Sequence, residues 1–157
     1  MIITTNSSEE TILLGARFAK LIKGADVILL EGDLGGGKTT FVRGVLGGFG
    51  YKHRALSPSF TLVRRYKVKG LILYHIDLYR LSKGDDMFDL GIEDYIYKPG
   101  NCFLIEWGEK IETSLSRYLK LKFSFVKETS RKIAVSSKGY NRDKLKPLKE
   151  KYEFVRN

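Results

Sequence analysis

The chain has 157 residues and a formal net charge of +10, with 43% hydrophobic and 12% aromatic residues. A chain of this length suits one domain with a sizeable core, and the composition is that of a folded protein rather than a disordered one. No apolar run approaches the roughly 20 residues that a membrane-spanning helix requires, so we predict a protein without a transmembrane segment.

Two features of the sequence predict a cytoplasmic protein. The only cysteine, Cys102, has no second cysteine in the chain with which to form a disulfide, and this fits a reducing compartment. The N-terminus also lacks a basic segment followed by an apolar run and a small-residue cleavage site.

The positive charge is concentrated near the C-terminus. Residues 1–116 carry 15 Lys and Arg against 14 Asp and Glu, whereas the remaining 41 residues carry 13 against 4. Such a bias attracts nucleic acid or an acidic protein partner, although a lysine-rich solvated surface has the same composition. We predict a single domain over residues 1–157 with a basic C-terminal extension from about residue 141.

Two helices are predicted in the first third of the chain. The first begins at Ser7, a candidate N-cap with Glu10 three residues later, and is predicted to end at Gly24. The second follows a glycine-rich loop and is predicted to end at Gly47 and Gly48. Apolar residues at helical spacing form one face of each helix: Ile12, Ala16, Ala19 and Ile22 in the first, and Phe41, Val42, Val45 and Leu46 in the second.

Strands account for most of the remaining pattern. Residues 26–31 and 101–106 are apolar runs without polar alternation, which is typical of strands covered on both faces of a parallel sheet. Residues 59–81 and 118–137 each contain two strand-like runs joined by a turn, so antiparallel hairpins are predicted there. Residues 82–96 are predicted to form a short acidic helix. The whole pattern predicts an α/β fold.

The glycine-rich loop has the pattern of a phosphate-binding loop. Residues 32–39, GDLGGGKT, place a glycine, four free positions, then glycine, lysine and threonine between a buried strand and a helix. Successive glycines let backbone N–H groups turn toward one anionic group, and the helix N-terminus adds the positive end of its dipole. We predict that Lys38 reaches the β- and γ-phosphates of a nucleotide and that the Thr39 hydroxyl binds Mg²⁺.

Such a site also needs a carboxylate near Thr39 to hold the metal ion or its waters, usually from the end of a neighbouring strand. Asp77 and Glu106 each follow an apolar strand. Glu106 is favoured as the metal-side group because its strand is wholly apolar and therefore more central. Asp77 would then orient water or act through a neighbouring group. Either carboxylate could instead be an exposed charge at a strand end.

Other residues leave alternatives open. The segment 57–61, SPSFT, either orders around the γ-phosphate or forms a simple turn. His75 alternates with apolar neighbours and is expected to be a packed strand residue rather than a base. Trp107 is either a core residue or part of a nucleotide-adjacent surface. Four arginines could neutralise charge in a transition state, and none is singled out: Arg43, Arg64, Arg65 and Arg80.

Functions other than an ATPase are compatible with the same loop. A small-molecule kinase would need a second substrate pocket and an arginine-bearing lid after the third strand, where residues 108–120 carry only Arg117. A GTPase is disfavoured because no Asn-Lys-x-Asp sequence occurs. A further alternative is a tRNA-binding module whose nucleotide site is only structural. The basic C-terminal quarter is the feature that supports it.

Five motifs in order closely resemble the TsaE family of bacterial P-loop ATPases, formerly called YjeE. They are GDLGGGKTTF, SPSFTLV, HIDLYRL, LGIEDY and IEWGEKI, within about residues 5–115. The resemblance implies a P-loop NTPase-like, three-layer α/β/α fold with a mixed sheet: a parallel core plus antiparallel hairpins. It also implies ATP and Mg²⁺ binding, and weak ATP hydrolysis within the complex that makes N6-threonylcarbamoyladenosine at position 37 of tRNAs reading codons that begin with A.

In that family the partners are the TsaD and TsaB proteins. TsaD transfers the threonylcarbamoyl group, and ATP hydrolysis by the TsaE protein supports turnover of the assembly, through which tRNA would be contacted. By position, the resemblance implies a catalytic set of Lys38, Asp77 and Glu106, with Thr39 and Glu106 as Mg²⁺ ligands. The implied nucleotide-binding residues are Ser8, near the base, and Gly35, Gly36, Gly37, Lys38, Thr39 and Thr40 in the loop.

The sequence departs from the family pattern at two positions. Gly36 stands where the family usually has alanine, and Ser59 where it usually has threonine. Glycine should loosen the free loop slightly without removing an amide, and serine keeps the hydroxyl, so neither change argues against the resemblance.

Overall fold

The computed structural model describes residues 1–52, 58, 61–81 and 91–148. These residues form a seven-stranded sheet with two α-helices, in the chain order β1-α1-β2-α2-β3-β4-β5-β6-β7. The helices are α1 (Ser8–Phe18) and α2 (Lys38–Gly48). The strands are β1 (Ile2–Thr5), β2 (Asp26–Glu31), β3 (Val63–Val68), β4 (Leu71–Asp77), β5 (Asn101–Glu106), β6 (Tyr118–Phe125) and β7 (Arg131–Lys138).

The sheet is mixed, with the spatial order β1-β7-β6-β2-β5-β4-β3. Strand β2 is parallel to β5 and β6, and β4 is parallel to β5. The pairs β3–β4 and β6–β7 are antiparallel hairpins, as predicted. Strand β1, which the sequence patterns did not predict, pairs antiparallel with β7. The predicted α/β fold with a parallel core and antiparallel hairpins is therefore confirmed.

The register brings the carboxyl ends of three parallel strands to one edge. Leu30 of β2 and Asp77 of β4 both lie opposite Glu106 of β5. All six residues of β2 and all six of β5 are buried, so these strands form the centre of the core. The glycine-rich loop leaves β2 at this same edge, and this edge is where open α/β sheets bind ligands.

Each face of the sheet has its own apolar cluster. Helices α1 and α2 cover one face, where Phe18, Phe41 and Leu104 are among the buried residues. The opposite face packs beneath turns over residues 91–97 and two short 3-10 helices, Gly108–Lys110 and Glu112–Ser114. Within the described ranges, no helix combines the length and apolar character needed to cross a bilayer.

Helix α1 begins as predicted but ends early. Ser7 is the N-cap, and its Oγ accepts a hydrogen bond from the Glu10 N–H at 3.1 Å. The helix ends at Phe18 rather than at Gly24. Of the predicted apolar face, Ile12 is 40% exposed, whereas Ala19 and Ile22 are buried in the core just beyond the end of the helix. Within α1 the buried residues are Thr11, Leu14, Gly15 and Phe18. The face is displaced because α1 packs against α2 through Gly15, where a Cβ would lie 2.3 Å from the Phe41 carbonyl oxygen.

Helix α2 has its predicted apolar face and, as predicted, ends at the glycine pair, with Gly48 as its last helical residue. Gly50, two residues later, has φ +83°. The N–H of Gly50 donates to Gly47 O at 2.9 Å and that of Tyr51 to Leu46 O at 3.0 Å, so the terminus is a Schellman motif. Gly48 is a packing residue, because a Cβ there would lie 2.5 Å from Ala16 O.

Two further predictions concern the second half of the chain. The alternation in β6 holds through Phe123, but Phe125 is 49% exposed where the strand runs out beside the glycine-rich loop. The predicted acidic helix over residues 82–96 falls mainly on residues 82–90, which lie outside the described residues, and residues 91–97 form turns.

Candidate nucleotide-binding site

The loop between β2 and α2 depends on glycine at several positions. Gly32, Gly35 and Gly37 have φ values of +126°, +75° and +104°, which only glycine adopts without strain. Gly37 is also the N-cap of α2, and no side chain caps the helix there. The positive end of the α2 dipole therefore faces the loop without a side-chain oxygen against it, as in helix termini that bind phosphate.

Gly36 carries a different constraint from its neighbours. Its N–H donates to Asp33 O at 3.0 Å, and a Cβ on Gly36 would lie 2.9 Å from that same oxygen. An alanine at this position would thus require the Asp33 carbonyl to shift in this loop. Glycine leaves this carbonyl in place as an acceptor.

A cleft of about 310 Å³ opens at the carboxyl edge of the sheet. It brings together the predicted loop residues and both predicted carboxylates. A second cleft of about 270 Å³ contains Ser8 and adjoins the first, since both are lined by Gly35, Gly37 and Thr40. The residues lining the first cleft are Leu34, Gly35, Gly36, Gly37, Lys38, Thr39, Thr40, Asp77, Tyr79, Arg80, Glu106 and Trp107.

Lys38 is buried at the centre of the loop. Its Nζ donates to Gly32 O at 2.6 Å and to Asp33 O at 2.9 Å, and it lies 4.2 Å from the centroid of the Trp107 ring. Burial lowers the pKa of the Lys38 ammonium, and the negative charge of Glu106 partly opposes that effect. Two carbonyl oxygens and an aromatic ring thus surround the Lys38 ammonium group. Phosphate oxygens of a ligand could take the place of the carbonyl oxygens.

Thr39 and Glu106 contact each other in the lining of the same cleft. Thr39 Oγ1 lies 2.8 Å from Glu106 Oε1 and 3.0 Å from Oε2. Hydroxyl and carboxylate oxygens are the hard ligands that Mg²⁺ prefers, and Mg²⁺ usually keeps several waters and takes only one or two protein carboxylates. Within the described part of the chain, no group of three His, Cys, Asp or Glu side chains has the arrangement of a metal centre. The two residues fit an ion held mainly by phosphate and water.

Asp77 ends β4 beside Glu106. It is 4% exposed, and its Oδ1 accepts a hydrogen bond from the Tyr79 N–H at 3.0 Å. Glu106 is 3% exposed. The alternative that these carboxylates are exposed strand-end charges is therefore wrong, because both are enclosed at the carboxyl edge of the sheet.

The structure also places the residues that the sequence left open. His75 is a packed strand residue, as expected, and its Nε2 is additionally 2.8 Å from Glu106 Oε1. Trp107 belongs to the cleft lining, as does Arg80 among the four candidate arginines. Of the segment 57–61, Ser57, Ser59 and Phe60 lie outside the described residues.

The sequence patterns missed the β6–β7 turn as part of this region. Glu128, Thr129 and Arg131 line the second cleft together with Ser8. Arg131 Nη2 donates to Gly35 O at 3.4 Å, and its guanidinium lies 4.3 Å from the centroid of the Phe125 ring. The sequence held no signal of this contact, because Phe125 continues the regular alternation of β6 and only the structure shows that it is exposed.

These features define a P-loop NTPase-like fold. A glycine-rich loop joins a strand to a helix at the carboxyl edge of the parallel strands, and a lysine, a threonine and strand-end carboxylates share one cleft there. The family model described as threonylcarbamoyl adenosine biosynthesis protein TsaE matches residues 5–133. The chain belongs to the TsaE family.

Similar proteins agree with this family assignment. The tRNA threonylcarbamoyladenosine biosynthesis protein TsaE of Treponema pallidum (strain Nichols) is 39% identical over 114 residues, which cover 73% of this chain and 83% of the relative. The protein of that name from Bacillus subtilis (strain 168) is 42% identical over 111 residues, 71% of this chain and 68% of the relative. The crystal structure of YdiB from Bacillus subtilis superposes with a TM-score of 0.75 at 31% identity, covering 100% of this chain and 96% of that one.

Proposed function

We propose that this chain is the Mg²⁺-dependent ATPase of the machinery that makes N6-threonylcarbamoyladenosine at position 37 of tRNAs reading codons that begin with A. Family membership supports the link with threonylcarbamoyladenosine biosynthesis. The observation that carries the ATPase proposal is the common cleft in which Lys38, Thr39, Asp77 and Glu106 meet the glycine-rich loop. Hydrolysis would be weak in the isolated chain and would support turnover of an assembly with the TsaD and TsaB proteins.

In this proposal the loop and Lys38 bind the phosphates of ATP. Backbone N–H groups of residues 35–40 and the uncapped start of α2 stabilise negative charge. The Lys38 ammonium exchanges its bonds to Gly32 O and Asp33 O for bonds to phosphate oxygens. Ser8 and the second cleft, which adjoins the loop, receive the base and ribose end of the nucleotide.

Thr39, Glu106 and Asp77 serve hydrolysis. Thr39 and Glu106 would hold Mg²⁺, directly or through its waters. The ion held by these two residues would supply positive charge beside the phosphates during transfer to water. Asp77, beside Glu106 in the register, accepts a hydrogen bond from the attacking water and orients it. Most of the catalysis is therefore positioning and charge stabilisation.

The kinase alternative finds little support in the structure. Arg117, the arginine that the sequence offered for a lid, has its Nη2 3.2 Å from Ala25 O and stacks on Tyr97 and Tyr140. Ala25 precedes β2, at the opposite end of that strand from the glycine-rich loop. A six-residue strand spans about 20 Å, so Arg117 lies far from the phosphate cleft.

Mixing the chain with its proposed partners tests the function. We expect purified TsaD and TsaB to raise ATP turnover by this chain, and the assembly to depend on which nucleotide is bound. Lys38→Ala should abolish both effects, whereas Lys67→Ala, at an exposed lysine of β3 that lines neither cleft, should abolish neither. The proposal would be overturned if TsaD and TsaB left ATP turnover unchanged and if complex formation did not depend on the nucleotide.

A further inference from the structure

His75 is a buried polar residue beside the cleft. It lies on β4 with none of its surface exposed, and it shares a face of the strand with Asp77 two residues later. Its Nε2 atom is 2.8 Å from Glu106 Oε1. Its Nδ1 atom is buried and has no hydrogen-bond partner among the described residues. Among the described residues the side chain thus makes one polar contact, and that contact is to the proposed metal-side carboxylate.

Packing alone does not account for a histidine at this position. Leu73 and Ile76 on the same strand are apolar and fully buried. Burying an imidazole with one ring nitrogen unpaired costs free energy that a leucine of similar size would not. The hydrogen bond to Glu106 is the interaction that only a polar side chain can make there.

Glu106 has a second partner of a different kind. Thr39 Oγ1 is within hydrogen-bond distance of both Glu106 oxygens, but a hydroxyl has one proton and donates to one acceptor at a time. In the proposed function the Thr39 hydroxyl also binds the metal ion, and this binding competes with its hydrogen bond to the Glu106 carboxylate. His75 has no such second task and approaches Glu106 from the buried strand β4.

We propose that His75 is a positioning residue that fixes the Glu106 carboxylate from the core side of the sheet. The effect of His75 on a metal ion rests on the proposed function of Glu106. The hydrogen bond between His75 and Glu106 is present in the nucleotide-free structure. An imidazole donates from Nε2 without carrying a net charge, so it orients the carboxylate and leaves its negative charge available to a cation. His75 should therefore influence the Mg²⁺ dependence of nucleotide binding and not the contacts of the nucleotide itself.

The first test measures ADP binding by titration calorimetry, with Mg²⁺ and with a chelator. In the wild-type chain Mg²⁺ should strengthen ADP binding, and His75→Ala should reduce that gain about tenfold or more while metal-free binding stays unchanged. His75→Gln, whose amide can donate from near the Nε2 position, should recover most of the gain. Leu73→Ala, on the same face of β4 but without a hydrogen bond to offer, should keep the wild-type gain while losing stability.

The second test is a double-mutant cycle on the unfolding of the nucleotide-free chain, with His75→Ala, Glu106→Ala and the combined variant. A bond between the two side chains predicts that the combined variant loses less stability than the sum of the single ones. Additive losses would overturn the positioning proposal. Should His75→Ala fail to fold, His75→Leu replaces it in both tests.

The two proposals fail in different ways. If the wild-type chain binds Mg²⁺-ADP no better than ADP, the proposed metal function fails, and the role of His75 in orienting Glu106 is then decided by the unfolding cycle. If the wild type shows the Mg²⁺ gain and His75→Ala retains it in full, the positioning proposal is overturned and the ATPase proposal stands.

Discussion

Lys38 and Thr39 are neighbours in the chain but contact different parts of the cleft. The Lys38 ammonium is held by two loop carbonyls, whereas the Thr39 hydroxyl is held by Glu106 from β5. Both side chains stand at the start of α2, and neither contributes to the apolar clusters of the core. Substitutions here should therefore affect ligand binding more than folding.

Alanine at either position should weaken ATP binding. Each change removes a polar or charged contact to phosphate or metal of about 1.5–3 kcal/mol, so Mg²⁺-ATP should bind roughly 10- to 100-fold more weakly. Calorimetry measures the affinity, and circular dichroism shows whether Lys38→Ala and Thr39→Ala remain folded. Unchanged affinity in both folded variants would contradict the phosphate role of the loop.

Glu106 and Asp77 should be separable by their effects on hydrolysis and binding. Glu106→Ala removes the carboxylate that contacts Thr39, so we expect hydrolysis to fall roughly 100-fold or more while nucleotide binding in the absence of Mg²⁺ is largely kept. The measurement is single-turnover hydrolysis alongside nucleotide affinity, with Asp77→Ala as the matched variant. If Asp77→Ala alone produced this pattern, the two carboxylates would have the opposite roles.

The contact between α1 and α2 sets the position of the loop at the level of elements. A Cβ on Gly44 would lie 2.1 Å from Ile12 O, and Gly15 and Gly48 are similarly close to the other helix. Because these contacts are to backbone atoms, a side chain would push the helices apart rather than find another rotamer. The glycines thus allow α2, with the loop at its start, to lie directly against α1.

Gly44→Ala should destabilise the fold by about 1–3 kcal/mol or more through this overpacking. Gly47→Ala is the matched control in the same helix, since a Cβ on Gly47 would meet no atom within 4 Å. It should stabilise the helix by about 0.5–1 kcal/mol. Urea unfolding measures both changes, and equal effects from the two substitutions would contradict the close packing.

Strand β5 should be inaccessible in the native state. Cys102 is fully buried there, and burial raises the pKa of its thiol to about 12. A thiol reagent near pH 8 should therefore leave the folded chain unmodified and react once urea unfolds it, because the thiolate is the reacting form. Rapid labelling of the folded chain would show that β5 opens locally.

At the scale of the whole molecule, one ionic network joins segments distant in the sequence. Lys120 of β6 binds Glu112 at 2.7 Å and lies 3.3 Å from Glu31, at the end of β2. Tyr118 also donates a hydrogen bond to Glu112. The hydrogen bonds from Lys120 and Tyr118 lower the pKa of Glu112 below 4.5, and the bond from Lys120 has the largest effect.

The network predicts a pH-dependent contribution to stability. A carboxyl whose pKa is lower in the folded than in the unfolded state stabilises the fold above its unfolded pKa, near 4.5, and this contribution is lost as the pH falls through the folded-state value. Glu112→Gln should thus be less stable than wild type at pH 7, with the difference disappearing in acid. Urea unfolding over this range measures it, and a difference independent of pH would contradict the prediction.

Prediction from the sequence succeeded where the information is local. The apolar runs of β2 and β5, the alternation in β6 and the N-cap at Ser7 each depend on residues close together in the chain. The end and the buried face of α1 were predicted less well. They depend on the close contact of Gly15 and Gly48 with the neighbouring helix, which involves residues distant in the chain.

By itself the sequence determined the glycine-rich loop between a strand and a helix and predicted that it binds phosphate, because its glycines, lysine and threonine lie within eight residues. It also limited the candidate carboxylates to two. Only the tertiary structure decided that Glu106 meets Thr39 across 67 residues of chain and that His75 holds the same oxygen from within the core. Strand order and register create those contacts, and neither is encoded in the local pattern of any one strand.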